Sequence, residues 1–600
     1  MLFLSPEEFL KNTFDYIVVG GGTAGLVVAT RLSEDARVTV GVLEAGGYHP
    51  EEPLINVPGY FGRSLGNPTF DWAFLTVPQK HVNGRAIVQP RGKLLGGSSA
   101  LNFMVLGRAS KEEYDAFEAL GSNGWNWESF LKYVTKSQTL IPSDDEFSEK
   151  FNTKLVDGIH GTSGPIKKSH SPWQGDLSIP FFQTLETFGL ERNPDATTGL
   201  ATGSYNILSA VDPDTARRSY SASAYYTPNA SRPNLVVLIG AQATKVLLEG
   251  DAEPYTATAI EFVSGGKKYS VPVKREVILS TGAFQTPQLL ELSGIGDPSI
   301  LDQFGIPSKV ELPGVGSNLQ DHIYVPTVYQ VKPEVATLDV LNEPGRSQAE
   351  EALYESQKGL YGSTHFSFAF LPINTFTPPD EVARLKAELR NSNGFDSTPG
   401  LKKQHKLLEQ WFSDERHAQL ELITFPGLLP SPGKTPKPST HPHTVAVANT
   451  HPISRGTVHI QSADPLVRPA VDPAYLSSTI DLDILVHGVR FTHTLHRHSP
   501  LKEMTIGSVE PAWISDSDNF SDSHGEKGVK WEDDEAVREY VRNELQSIYH
   551  PVGTAAMLPA KIMESWIRNS KCMERLISVS LMLLYFPCKL LRILKRRFTG

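Results

Sequence analysis

Residues 16–32 read YIVVGGGTAGLVVATRL, and this stretch decides the fold at the start of the chain. The apolar, largely β-branched run at residues 16–19 predicts a strand buried on both faces of a parallel sheet. After the glycines, the apolar positions at residues 26–32 suit a helix that packs on that sheet. A second apolar strand at residues 38–43 ends at Glu44. This order of elements predicts a βαβ unit that binds a dinucleotide.

The three spaced glycines each have a physical task in such a unit. Gly20 permits the tight turn, Gly22 lets the backbone approach a pyrophosphate, and Gly25 lets the helix pack closely on the strand. The N-terminus of the helix offers N–H groups and a partial positive charge to the phosphates. Glu44 stands where an acid accepts hydrogen bonds from a ribose hydroxyl. The unit alone does not separate NAD from FAD.

A second glycine-rich segment, RGKLLGGSSALN, occupies residues 91–102. Its small residues suit either a flexible surface loop or backbone packed tightly against a flat ring. The segment resembles the first signature of the glucose–methanol–choline (GMC) oxidoreductases, and residues 277–296 resemble their second signature. Shorter stretches that resemble the family are GVGSNLQDH at residues 314–322, SRG at 454–456 and HPVGT at 550–554. The resemblance runs from about residue 14 to residue 559.

The resemblance implies a fold in two interleaved parts. One is an α/β FAD-binding Rossmann-like domain, and the other is an α+β substrate domain built on an antiparallel sheet over the flavin. The expected FAD-binding domain comprises residues 12–110, 215–325 and 540–559. The expected substrate-binding domain comprises residues 111–214 and 326–539, which leaves residues 560–600 as an atypical tail.

The resemblance also implies FAD rather than NAD as the cofactor. In the family, the first glycine segment holds the ADP half of FAD, and the later signature loop lies over the isoalloxazine. The residues that these features place against FAD are Gly20, Gly22, Thr23, Ala24, Gly25, Glu44, Ser98, Asn102, Phe103, Val105 and Val246. Val246 is the candidate for a valine near the adenine, although an ordinary core valine is the alternative interpretation.

Leu101 bears on how FAD is attached. Some members of the family hold FAD covalently through a histidine in the signature loop, just before the asparagine. Leu101 occupies that position here, before Asn102, and its side chain cannot form the bond. The sequence therefore predicts non-covalent FAD.

His550 is the candidate catalytic residue, because it opens the HPVGT stretch that matches the family's catalytic histidine. The resemblance implies oxidation of a CH–OH group of a small organic alcohol, in which a proton leaves oxygen and a hydride passes to flavin N5. A histidine suits the proton transfer because its ordinary pKa lies near neutrality. His322, in another family-like stretch, is interpreted as structural. Oxygen or another acceptor would take the electrons, and an FAD-containing lyase or an inactive FAD-binding product are the alternatives.

Composition argues against other kinds of site. The net charge of −11 and the isoelectric point near 5.9 do not suggest a nucleic-acid partner, since such proteins usually carry a basic face. Both cysteines, Cys572 and Cys588, lie near the end of the chain, so the body has no disulfide framework or thiolate metal site. No metal is expected. The first 14 residues do not resemble a secretory signal, so a cytoplasmic location is expected.

The tail at residues 560–600 departs from the family pattern. Members of the family continue beyond the catalytic histidine through a segment that supplies a second histidine or an asparagine. Here Asn569 is the only asparagine or histidine after His550, and it lacks that context. A retained intron or shifted reading frame would leave the enzyme incomplete, with poor FAD binding or no activity, and this interpretation is favoured. The other two are a replacement for the missing strand and an interfacial membrane element, since the apolar run at residues 576–586 is too short to span a bilayer.

Overall fold

Two large β-sheets organise the chain. The computed structural model describes residues 4–392, 399–429, 440–514 and 529–558, so the tail at 560–600 lies outside the described residues. The strands of the two sheets are β1 (Phe14–Val19), β2 (Val40–Leu43), β3 (Gly203–Asn206), β4 (Leu235–Leu238), β5 (Gln242–Glu249), β6 (Thr256–Ser264), β7 (Lys267–Leu279), β8 (Ile323–Val331), β9 (Ser367–Leu371), β10 (Leu420–Phe425), β11 (Pro442–Asn449), β12 (Thr505–Glu510) and β13 (Gln546–Ser547).

Helices cover and connect these sheets. The longer ones are α1 (Thr23–Leu32), α2 (Lys111–Ala119), α3 (Trp127–Ser137), α4 (Ser178–Thr187), α5 (Gly282–Leu292), α6 (Arg346–Tyr354), α7 (Pro379–Asn391), α8 (Pro399–Ser413), α9 (Thr479–Leu495) and α10 (Asp534–Glu544). Within the described ranges, none of the helices has both the length and the apolar character that crossing a bilayer requires.

The first sheet has the order β4-β2-β1-β7-β6-β5. The four strands β4, β2, β1 and β7 are parallel. In their register, Val18 of β1 lies between Val42 of β2 and Ile278 of β7. All but one residue of β1 is buried, because α1 follows it directly and packs on the sheet. The parallel sheet with its early glycine turn is the predicted α/β FAD-binding architecture.

The second sheet is antiparallel, in the order β12-β8-β11-β10-β9-β3, and β13 also pairs with β8. Every residue of β11 is buried, because the sheet is covered on both faces. On one face, α9 packs against leucines and valines of β10 and β11 in the largest apolar cluster of the described residues. The other face closes a cavity. This is the predicted antiparallel sheet of the substrate domain.

Short elements join the two parts. A three-stranded sheet of Ser317–Leu319, Gly456–His459 and Ala470–Asp472 brings Val458 and Val471 against Phe284 of α5. His322 directly precedes β8, the first long strand of the second sheet after the α/β region. Residues from late in the chain therefore pack on the α/β part, as interleaved domains require.

Candidate flavin and substrate site

The two glycine-rich loops contact each other through their backbones. Gly96 N–H donates to the carbonyl of Gly21 over 2.8 Å. A Cβ added to Gly97 would lie 2.7 Å from the Cα of Gly22, so side chains at this crossing would separate the loops. The Thr23 hydroxyl accepts a hydrogen bond of 3.2 Å from the N–H of Ser99. The two motifs therefore form one continuous backbone surface.

The first glycine turn has the geometry that its sequence predicts. Gly20 has a φ of +94°, in the left-handed region that favours glycine. A Cβ on Gly25 would lie 1.9 Å from the carbonyl oxygen of Gly20, so only glycine lets α1 start this close to the strand. Gly22 is the N-cap residue of α1 and has no side chain to cap the helix. The first N–H groups of α1 thus lie in a position suited to an anion.

Glu44 holds the base of this turn. One carboxylate oxygen accepts from Gly21 N–H and the other from Gly46 N–H, both over 2.8 Å. Burial raises the pKa of Glu44 to about 7, although the backbone N–H groups act in the opposite direction. These two backbone hydrogen bonds therefore fix the position of the Glu44 carboxyl group at the end of β2.

A cavity lies above the two loops. The residues expected to contact FAD that form part of its wall are Gly20, Gly22, Thr23, Glu44 and Ser98. Ala24 and Gly25 lie buried in α1 instead. Val246 is 5% exposed and belongs to an apolar core cluster, whereas Ala243, earlier in β5, lines the cavity. Among the described residues, the wall thus includes four of the contacts expected for the ADP half, together with Ser98 of the signature loop.

A second cavity shares Arg91 and Ser98 with the first. Asn102, Phe103 and Val105 of the signature loop line it, and so does His550. Its other walls are mostly apolar and come from the second sheet and the segments beside it: Tyr324, Phe366, Phe368, Glu421, Ile423 and Ala446. The loop residues expected near the isoalloxazine and the expected catalytic histidine therefore face one space.

His550 is held in place through its backbone. Its N–H donates to Asp321 Oδ1 over 2.8 Å, while Asp321 Oδ2 accepts from the Ser547 hydroxyl over 2.6 Å. The Nδ1 atoms of His550 and His322 lie 3.3 Å apart. Burial, with the nearby His322 and Arg91, lowers the pKa of His550 well below its ordinary value. At neutral pH the imidazole is therefore in the neutral form that a general base requires.

Family models described as GMC oxidoreductase match residues 14–324 and 452–564. The chain belongs to the GMC oxidoreductase family. It is therefore an FAD-dependent oxidoreductase, as the two loops and the sheet topology suggested.

Three proteins resemble this GMC oxidoreductase in sequence or in structure. It is 34% identical to dehydrogenase mpl7 of Monascus purpureus, over 92% of this chain and 89% of the relative. An FAD-dependent oxidoreductase from Chaetomium thermophilum superposes with a TM-score of 0.83 at 27% identity, covering 96% of each chain. A fungal aryl-alcohol oxidase superposes with a TM-score of 0.80 at 26% identity, covering 96% of this chain and 95% of the other.

The residues of this GMC chain fit FAD. The first cavity offers a helix N-terminus and glycine backbone for a pyrophosphate, with Glu44 beside them for a ribose. The second cavity offers the aromatic rings of Phe103 and Phe366, which stack with centroids 6.2 Å apart. Because Arg91 and Ser98 border both cavities, one extended molecule can reach from the glycine turn to His550.

Three further residues contribute to this site, and the sequence motifs did not predict their roles. His322, interpreted as structural, lies against the ring of His550, and its place beside Asp321 in a family-like stretch was the available signal. Arg218 is buried and donates to Asn102 Oδ1 over 2.6 Å, which fixes the signature loop. Glu421 interrupts the apolar strand LELITF, and a lone acid in such a strand was a signal too.

Proposed function

We propose that this GMC oxidoreductase oxidises the CH–OH group of a small alcohol in the second cavity, with His550 as the base. The observation that carries the proposal is that His550 and the signature-loop residues Asn102, Phe103 and Val105 line one cavity. The lowered pKa of His550 keeps its imidazole in the neutral form that a general base requires. FAD, when bound, supplies the acceptor for the hydride that leaves the carbinol carbon.

The cofactor contacts divide between the two cavities. We assign the ADP half to the cavity of Gly20, Gly22, Thr23 and Glu44, which supplies backbone N–H groups and one acid. The ring half is assigned to the region of Ser98, Asn102, Phe103 and Val105. Ala24 and Gly25 act by packing α1 on its strand, and the adenine-side position assigned to Val246 fits Ala243 better. The expected division, with the FAD-binding domain at residues 12–110, 215–325 and 540–559 and the substrate domain at residues 111–214 and 326–539, stays a prediction, and its boundary at 325/326 falls within β8.

His322 sets the tautomer of His550 in this proposal. Burial lowers the pKa of His322 to about 4, so the ring is neutral and carries one N–H. The Nδ1 atoms of the two rings lie 3.3 Å apart, so a neutral His322 can accept a hydrogen bond from His550 Nδ1. In this proposal, Nε2 is then the unprotonated nitrogen of His550.

The walls of the second cavity favour a flat, apolar alcohol. Phe103, Phe366 and Phe368 contribute aromatic rings, and Leu65 and Ile423 contribute aliphatic side chains. Flat substrates pack well against such rings. The fold similarity to an aryl-alcohol oxidase agrees with this substrate class. We infer that oxygen or another small acceptor completes the cycle after the alcohol is oxidised.

Anaerobic mixing with alcohols tests the proposal. Benzyl alcohol is expected to bleach the oxidised flavin band of the purified chain, whereas toluene, which lacks the hydroxyl, is expected to leave it unchanged. Hydrogen peroxide formation under air would identify oxygen as the acceptor. If no alcohol bleaches the flavin and cyanide is released from hydroxynitriles instead, the chain is a lyase and the proposal fails.

A further inference from the structure

Glu421 is a buried acid that faces the second cavity. It is the second residue of β10, and its strand neighbours Leu420 and Leu422 point into the apolar core under α9. Because side chains alternate along a strand, Glu421 and Ile423 point to the opposite face, where both line the cavity. Glu421 is 7% exposed, so its carboxyl is almost wholly enclosed by protein.

The surroundings of Glu421 offer its carboxyl little compensation. Its register neighbours on the adjacent strands are Ala448 and Phe370, whose side chains have no hydrogen-bonding groups. Among the described residues, no hydrogen bond or ion pair to the Glu421 side chain is present, in contrast to most buried polar groups. Desolvation alone raises the pKa of Glu421 to about 8. At neutral pH the group is a carboxylic acid with one donor and one acceptor directed at the cavity.

We propose that Glu421 determines substrate specificity by hydrogen bonding a neutral oxygen substituent on the alcohol, away from the reacting CH–OH group. The inference rests on the proposed function, since it places that alcohol in the cavity that His550 also lines. Apolar walls alone allow a bound substrate to adopt many orientations. One polar group that forms a hydrogen bond with the substrate favours one of these orientations. A carbonyl, ether or second hydroxyl oxygen would satisfy the carboxyl without introducing a charge into an aromatic cavity.

Two variants separate hydrogen bonding from shape. Glu421→Leu keeps the approximate volume but removes both polar groups, whereas Glu421→Gln keeps a donor and an acceptor and cannot ionise. The measurement is the ratio of kcat/KM for 4-acetylbenzyl alcohol to that for benzyl alcohol. Glu421→Leu is expected to lower this ratio about tenfold, as the loss of one good hydrogen bond predicts. Glu421→Gln is expected to keep the ratio within about threefold of the starting protein.

The remaining outcomes each decide against the inference. A merely structural role would reduce turnover of both alcohols equally and leave the ratio unchanged. A preference for 4-(aminomethyl)benzyl alcohol that disappears in Glu421→Gln would indicate an ion pair with a cationic substrate instead. Glu311→Leu, at an exposed position of a short strand, is the matched control for substitution itself.

Binding of acetophenone gives a readout that does not depend on turnover. Acetophenone has the ring and the carbonyl oxygen but no alcohol to oxidise, so its dissociation constant can be measured from changes in flavin absorbance. Glu421→Leu is expected to weaken this binding about tenfold relative to Glu421→Gln. If no alcohol reduces the flavin but this difference persists, the proposed function fails, the role of Glu421 in alcohol specificity fails with it, and only the hydrogen bond from Glu421 to a ligand oxygen is retained. Equal binding to both variants would overturn the inference.

Discussion

Backbone conformation defines the first cavity, whereas side chains define the second. The shape of the first cavity depends on the backbone: Gly20 has a left-handed conformation, and Gly22 lies close to the second glycine-rich loop. The second depends on side chains from several strands, including Phe368 and Glu421. Backbone sites need particular residues at particular spacings, so they leave a motif in the sequence. A cavity wall made of side chains needs no fixed spacing in the sequence, because residues far apart in the chain can line the same surface.

Two buried glutamates make the contrast concrete. Burial raises the pKa of Glu44 to about 7 and that of Glu421 to about 8, so their electrostatic situations are similar. Glu44 accepts two backbone hydrogen bonds and thereby holds the first glycine turn in place. Glu421 has no such partner within the described part of the chain and faces the cavity. Glu44 therefore stabilises the backbone of the first cavity, whereas Glu421 is available to bind a ligand in the second.

Removing the base is the largest expected effect and acts on the side-chain cavity alone. His550→Ala should lower the rate of anaerobic flavin reduction by about 10²- to 10⁴-fold, because general-base catalysis contributes that much. FAD should remain bound, since the first cavity is unchanged. Stopped-flow absorbance with benzyl alcohol measures the rate, and His81→Ala, at an exposed position, is the control. Unchanged reduction in His550→Ala would remove His550 from the mechanism.

Gly25→Ala tests the backbone cavity. The new Cβ would lie 1.9 Å from the Gly20 carbonyl oxygen, and neither chain segment can turn away as a side chain would. We expect loss of bound FAD and a decrease of about 3 kcal/mol or more in the free energy of unfolding. Gly107→Ala is the matched control, because its Cβ meets only Ile207 at an ordinary 3.4 Å. Full flavin content in Gly25→Ala would contradict the close packing of α1.

Glu44→Gln compares the two glutamates directly. The amide would place an N–H₂ group against the N–H of Gly21 or Gly46, which loses one hydrogen bond and leaves a donor unsatisfied. FAD affinity should fall by roughly 1–3 kcal/mol, or about 5- to 150-fold. Glu421→Gln should retain FAD, because its carboxyl lies in the other cavity. Equal flavin affinity in the two variants, measured by titration of the apoprotein, would remove the distinction between them.

The pH dependence of flavin reduction is a smaller effect. A histidine base must be neutral, and the pKa of His550 lies well below its ordinary 6.5 in the folded protein. The neutral base is therefore present above the lowered pKa and is lost only as the pH falls through it. We expect nearly constant reduction rates from neutral pH down to 6.5, measured anaerobically at saturating alcohol. A decline centred at 6.5 would show that the environment does not suppress protonation.

The attachment of FAD should show no covalent component. Leu101 is buried in the signature loop and borders the second cavity, and its aliphatic side chain cannot bond to a flavin ring. Acid precipitation is expected to release all yellow colour into the supernatant. A yellow pellet would contradict the prediction. Released and pelleted flavin can be quantified by absorbance, with denaturation in guanidinium as a second release method.

The sequence alone identified the parts of this protein that depend on backbone conformation. The strand, glycine turn and acid at residues 16–44 and the loop at residues 91–102 indicated the family and FAD, and the comparisons confirmed both. Gly20 and Gly25 carry that signal because no other residue fits the required φ value or the closeness to the strand. The role expected of Val246, which lies outside those segments, was harder to assign because a core valine looks the same in sequence.

Only the tertiary structure brought together His550, His322 and Glu421. These residues lie far apart in the chain, and β-sheet pairing decides which of them meet. Nothing in a strand's own sequence states which face will border a cavity, because alternation defines two faces without naming their neighbours. Motifs therefore revealed the backbone cavity and, in the second cavity, the signature loop and His550, while the wall from the second sheet emerged only when β8, β10 and β11 were placed side by side.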